Sequence, residues 1–287
     1  MGSMLVERHR SFESFREWTD GFYRADPVRH TLAVTTVAAA RSYEAEPVLL
    51  TFHEGGGGNA ATTSGAYLRT PPFPGQVAGL PRSGLPEVVT AVREHDPGLG
   101  AVTGPVECAT AFAAEWCRHS GGSDHVRMRQ RLYTLGELRP PEGVRGGEYV
   151  FTEEDFEWLA RWRADYSRDA ADTGVSGEPS VPELRAFMDG GRIPTLWTDG
   201  VQPVAMAFHS TPKYGTSRIG NVYTPSMHRG NGYGSAVTAA AAARARRAGA
   251  DSVVLFTDAD NPVTNSIYRG IGFVPDHDLV EIDLHRE

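Results

Sequence analysis

From Val222 to Gly234 the chain reads Val-Tyr-Thr-Pro-Ser-Met-His-Arg-Gly-Asn-Gly-Tyr-Gly, and Ala236 to Ala245 is dominated by alanine. A strand therefore runs into a glycine turn, and the turn opens a helix. This arrangement leaves the first amide hydrogens of the helix without acceptors and pointing one way, with the positive end of the helix dipole behind them. It is a pocket for a phosphate or diphosphate. Glycine suits positions 232 and 234, where a side chain would block the anion or refuse a positive φ. Arg229 adds a charge at the rim. The same geometry commits the chain to an α/β fold.

Three phosphate-binding turns can be compared. A Walker loop needs Gly-Lys-Ser/Thr after its glycines, and none is present. A dinucleotide turn needs G-x-G-x-x-G, but Ser235 stands in the third glycine's place. Arg229-x-x-Gly232-x-Gly234 fits every fixed position of the Gln/Arg-x-x-Gly-x-Gly/Ala turn that binds coenzyme A.

The surrounding pattern is a mixed α/β sheet of order β-α-α-β-β-β-α-β-α-β. Glu153–Asp169 is spaced as a helix with Thr152 as its N-cap, and Pro182–Asp189 is a second helix stopped by Gly190-Gly191. Thr195–Thr198 and Pro203–His209 form a hairpin over Asp199-Gly200. Ser217–Thr224, Asp251–Thr257 and the stretch from Phe273 read as strands, with a helix from Pro262 to Arg269.

A second motif follows one helix and one strand later. Asn261, Tyr268, Gly272 and Phe273 stand at the spacing Asn-x(6)-Tyr-x(3)-Gly-Phe. Together with the turn, this resembles the Gcn5-related N-acetyltransferase superfamily, strongly over about 195–284 and more faintly over 146–194. The resemblance implies that acetyl-CoA is the co-substrate. The backbone of Val222, Tyr223 and Thr224 would pair with the pantetheine arm, and the amides of Arg229, Gly230, Asn231, Gly232, Tyr233, Gly234 and Ser235 would hold the diphosphate. Asn261 and Asn265 would hold the pantetheine, and Tyr268 would protonate the departing thiolate. A tyrosine with a pKa near ~10 carries its proton at neutral pH, as that role needs. The expected acceptor is the amine of a small molecule. A coenzyme A sensor without turnover, or transfer of a longer acyl group, are the alternatives. His209, Asp260 and His228 are candidates for a base, although each also reads as an ordinary loop or strand-end residue.

The N-terminal half repeats part of this order. It reads as a helix over Phe12–Tyr23, strands at Thr31–Ala39, Val48–Phe52 and Ala66–Thr70, a helix near Leu85–Glu94, a strand near Leu99–Thr103, a helix over Val106–Arg118 and a strand at Val126–Leu135. Residues 55–59, four glycines and an asparagine, read as a mobile hairpin loop. At the turn equivalent to 229–234 stands Gly79-Leu80-Pro81-Arg82-Ser83-Gly84, with no cofactor motif. The expected domains are a degenerate copy at 4–140 and the acetyltransferase domain at 146–287. They are joined by the proline- and glycine-rich stretch from Arg139 to Gly147. Residues 1–3 read as an added leader before Met4.

A net charge of −8 disfavours nucleic acid as partner, and the excess of acid in the second half favours a cationic acceptor weakly. No run approaches the ~18 apolar residues of a membrane span and no signal peptide is visible, so a cytoplasmic protein is expected. Cys108 and Cys117 lie nine residues apart on one helix and face different ways, so no disulfide is expected. The scattered histidines suggest no metal site. A homodimer is compatible with this reading.

Overall fold

The computed structural model describes residues 4–39, 46–54, 62–169 and 178–285. Residues 1–3 and the loop at 55–59 lie outside these. The first half runs β1 (Leu5–His9), α1 (Phe12–Ala25), α2 (Thr31–Ala38), β2 (Val48–His53), β3 (Thr63–Arg69), β4 (Gly75–Ala78), α3 (Leu85–His95), β5 (Ala101–Pro105), α4 (Val106–Ser120) and β6 (Ser123–Leu135). The second runs β7 (Gly147–Tyr149), α5 (Phe156–Asp169), α6 (Val181–Asp189), β8 (Arg192–Thr198), β9 (Pro203–Ser210), β10 (Thr216–Tyr223), α7 (Tyr233–Arg247), β11 (Ser252–Asp258), α8 (Pro262–Ile271) and β12 (Phe273–His285). The two halves have the same order of elements.

The strands of the described residues join one twelve-stranded sheet, in the order β1-β2-β3-β4-β5-β12-β6-β11-β10-β9-β8-β7. Each half gives its last strand to the other. β12 pairs with β5 of the first half, β6 pairs with β11 of the second, and the two exchanged strands pair with each other from Phe273↔Leu135 to His285↔Ser123. Leu132 and Tyr133 of β6 are buried against second-half residues, and Val280 and Ile282 of β12 fill the first half's core. An isolated second half would expose the β11 edge and leave β12 without partners. Residues 146–287 expressed alone should therefore lack a cooperative urea transition. A transition at the full chain's midpoint would contradict this.

Local sequence explains most elements. Asp155 accepts from the Thr152 amide at 2.7 Å, closing a capping box ahead of α5. α7 buries Ala236, Val237, Ala239 to Ala242 and Ala245, and these small side chains let it lie close on Ala205 and Ala207 of β9. Cys108 and Cys117 are both free thiols on α4.

One expected strand is a helix. Thr31–Ala38 is β-branched and apolar, yet it forms α2, with Thr35 Oγ1 donating to Thr31 O at 2.8 Å and Thr36 Oγ1 to Leu32 O at 2.9 Å. Such short apolar runs have no decisive period, and packing of Ala33, Val34 and Val37 against Phe15 and Leu49 overrides β propensity. Among the described residues, no helix is long and apolar enough to cross a membrane.

Candidate active site

β10 and β11 run parallel from Thr216↔Ser252 to Ile219↔Leu255 and then part. Beyond that point β11 continues against β6, while β10 continues against β9 through a bulge between Gly220 and Tyr223. Asn221 sits in the bulge at φ +50°, a left-handed conformation that asparagine tolerates better than most residues. The β11-facing backbone edge of Gly220 to Val222 thus has no strand partner. Val222 packs into the cluster that holds Tyr268 and Tyr233, whereas Tyr223 faces the opposite side, with its ring 6.3 Å from Trp162 of α5.

The turn after β10 has the expected open amides. Gly230 and Gly232 take φ +82° and +78°, and Gly232 is the N-cap of α7 without a capping side chain. The first helical bond is Ala236 N–H to Gly232 O, and the Arg229 amide bonds Ser226 O at 3.3 Å. The amides of Gly230 to Ser235 have no acceptor among the described residues. Gly234 lies inside the helix, and a Cβ there would meet only Thr224 Oγ1, at 3.5 Å. Its φ is not positive, so the backbone there does not require glycine. The Asn231 side chain braces the turn by donating to His228 O and Arg229 O. Tyr233 is buried, with its side chain in the core cluster.

The Arg229 guanidinium does not stand free at the rim. Its Nε donates to Thr224 O at 2.9 Å and its Nη2 to Asp169 at 2.6 Å, which shares its charge and fastens the turn to the end of α5.

Tyr268 lies on the inner face of α8, with ring centroids 6.4 Å from Tyr133 and 6.2 Å from Phe273. No described residue hydrogen-bonds its hydroxyl. Burial, and secondarily the Tyr166 phenol on α5, push its pKa well above the usual tyrosine range. It is therefore protonated throughout the physiological range.

The two asparagines make internal hydrogen bonds. Asn261 caps α8, its side-chain oxygen accepting from Val263 and Thr264 amides at 3.1 and 3.2 Å. Only its Nδ2 is left for a ligand. Asn265 is buried; its Nδ2 donates to Asp258 O and Asn261 O at 2.9 and 2.6 Å, and its Oδ1 accepts from Tyr133 at 2.7 Å. Both ends of its amide are thus engaged inside the protein, where they brace the β11–α8 loop. Tyr133 has no motif signal in the sequence; its role shows only once β6 crosses into the second half.

His209, a candidate base, is buried in β9. It shares the α7-facing side of β9 with Ala205 and Ala207, is 1% exposed, and lies opposite Ile219, the last β10 residue paired with β11. Burial, helped by Arg244, lowers its pKa to about 4. His9 and His30 are likewise buried and lowered to about 4, chiefly by burial. Each stays neutral in the folded state while the unfolded chain takes up a proton below about 6.5, so stability should hold from about pH 7 to 9 and fall between about pH 6.5 and 4. The loss is at most about 3 kcal/mol per histidine. Urea midpoints measured across this range test it, and a midpoint unchanged down to pH 4 would contradict it.

A cleft of about 640 Å³ begins at Ser235 beside the turn and runs between α8 and residues Arg139 to Pro141. Among the described residues no group of three His, Cys, Asp or Glu side chains is placed to hold a metal ion.

Residues 154–273 match the acetyltransferase (GNAT) family. A mycothiol acetyltransferase of Renibacterium salmoninarum is 26% identical over 229 residues, which is 68% of this chain and 65% of that protein. The chain thus spans less than two thirds of that relative's length. A GCN5-related N-acetyltransferase from Kribbella flavida matches with a TM-score of 0.56 and 21% identity, over 77% of this chain and 86% of that one. A tandem GNAT protein from the clavulanic acid biosynthesis pathway matches with a TM-score of 0.58 and 13% identity, over 99% of this chain and 98% of its own. At these identities the structural matches speak to the fold alone, and they extend it over the whole chain. The match to the acetyltransferase (GNAT) family thus falls within the second half, inside a fold that the whole chain shares with a tandem GNAT protein.

Proposed function

We propose that this protein transfers the acetyl group of acetyl-CoA to a primary amine of a small molecule bound between the two halves. The observation that carries this reading is the row of open amides from Gly230 to Ser235, beside an unpaired strand edge that shares a packed cluster with Tyr268. The amides suit the diphosphate, and the edge of Gly220 to Val222 suits the amide-bearing pantetheine arm as an added strand. The arm then ends near Tyr268.

With both substrates bound, the amine nitrogen attacks the thioester carbonyl carbon. The C–N bond forms, the C–S bond breaks, and the sulfur takes the phenolic proton of Tyr268. The amine's surplus proton leaves to water, and water restores the phenol. A backbone amide at the bulge polarises the carbonyl, and holding two reactants together supplies much of the rate. The upward pKa of Tyr268 keeps the proton in place until the thiolate forms.

The first half serves as a wall without coenzyme. At its equivalent turn Pro81 and Pro86 lack amide hydrogens. Met4 and Phe22 fill the space beside Gly84 and Gly79. The division into a first unit at 4–140 and a second at 146–287 belongs to this proposal, with the exchanged strands crossing it.

Release of free coenzyme A thiol, followed with a panel of amines that includes acceptors of the mycothiol type named for the relatives, tests the reading. Amine-dependent release is expected. Tight binding of acetyl-CoA without release for any amine would replace it with a binding module.

A further inference from the structure

The diphosphate cradle and the pantetheine edge use only one end of coenzyme A. Its other end, an adenosine with a ribose 3′-phosphate, needs a further surface, and a cleft begins beside the turn at Ser235. Resting on the coenzyme reading above, we propose that the segment joining the two halves forms the nucleoside end of the site, and that Arg139 is the specificity residue that recognises the 3′-phosphate.

The cleft that starts at Ser235 has one wall from α8, including Val263 and Ile267, and the other from Arg139, Pro140 and Pro141. Its lining is mostly apolar, as a flat base requires, and Arg139 is its one charged side chain. Val263 is 65% exposed, an apolar surface at the mouth that a stacked ring would cover.

The joining segment is a fixed wall and not a loose tether. The Arg139 amide donates to Ile271 O at 2.7 Å, and Gly136 N–H to Gly272 O at 3.0 Å. Arg246 reaches Leu135 O at 3.3 Å, and the Trp197 indole donates to Arg145 O at 3.0 Å. A Cβ on Gly232 would stand 3.0 Å from Val144, so the same segment also borders the diphosphate turn. The Arg139 guanidinium meets Glu137 at 3.2 Å, with both side chains largely exposed. Such a surface pair is weak and exchanges readily for a doubly charged phosphate.

Calorimetry on the full chain with coenzyme A and with 3′-dephospho-coenzyme A tests this. The unaltered protein should bind coenzyme A about tenfold more tightly than the dephospho form. Arg139→Gln should remove that preference and leave dephospho-coenzyme A affinity unchanged, and Arg139→Lys should restore part of it. A preference that persists in Arg139→Gln, or its absence from the unaltered protein, would overturn the assignment while leaving the coenzyme site standing. If neither compound binds the unaltered protein, the coenzyme reading itself fails, and this assignment with it.

Discussion

Tyr268→Phe should lower kcat about a hundredfold while leaving the Kd for acetyl-CoA within about twofold, the usual scale for loss of one proton donor. The substitution removes only the hydroxyl, which bonds no described residue. The ring keeps its contacts with Tyr133 and Phe273, so folding should be unaffected. What is lost is the proton for the leaving sulfur, a need that arises only as the C–S bond breaks. Steady-state kinetics with calorimetry separate the two effects. Equal losses in turnover and affinity would mean that the phenol binds the coenzyme and does not serve as an acid.

Gly232→Val should weaken coenzyme A binding by a hundredfold or more. Gly232 sits at φ +78°, where a β-branched residue is strained by about 1–2 kcal/mol or more. Its new Cβ would also press on Val144 at 3.0 Å. The turn would have to reshape, and the open amides would no longer converge. Because that strain also touches stability, the loss is read beside the urea midpoint of the same variant. Gly234→Ala is the matched control: the turn motif allows alanine there, and its methyl makes an ordinary 3.5 Å contact with Thr224 without backbone strain. It should leave both the urea midpoint and coenzyme A affinity nearly unchanged. Unchanged affinity in a folded Gly232→Val would remove the diphosphate cradle.

The second half was legible because its signals are local. The hairpin at Asp199-Gly200, the cap at Thr152 and the alanine-rich helix each appear where their chemistry directs. The short strands Gly75–Ala78 and Gly147–Tyr149 were not legible, since three or four residues carry too little pattern. The exchange of β6 and β12 was hidden for a different reason. Alternation tells which face of a strand is buried, but not which neighbour covers it.

The same distinction governs the site. The turn glycines and Tyr268 belong to motifs, and the structure brings their elements together. Asn265 fits the motif equally well, but its partners Tyr133 and Asp258 come from two other strands, and no spacing reveals that its amide is already engaged. For His209 a usable signal existed. It shares strand parity with Ala205 and Ala207, which pack beneath α7, and parity alone marks it as a buried residue of that face. The role of residues 139–144 as a wall could not be read, because a proline-rich stretch between two units looks the same whether it is docked or loose.

A crystal structure of the full chain with coenzyme A bound tests the central claim most directly. The account predicts diphosphate oxygens within hydrogen-bonding distance of the amides between Gly230 and Ser235, the pantetheine along Gly220 to Val222, and the sulfur beside the Tyr268 hydroxyl. Coenzyme A held elsewhere, or a sulfur remote from that phenol, would contradict it.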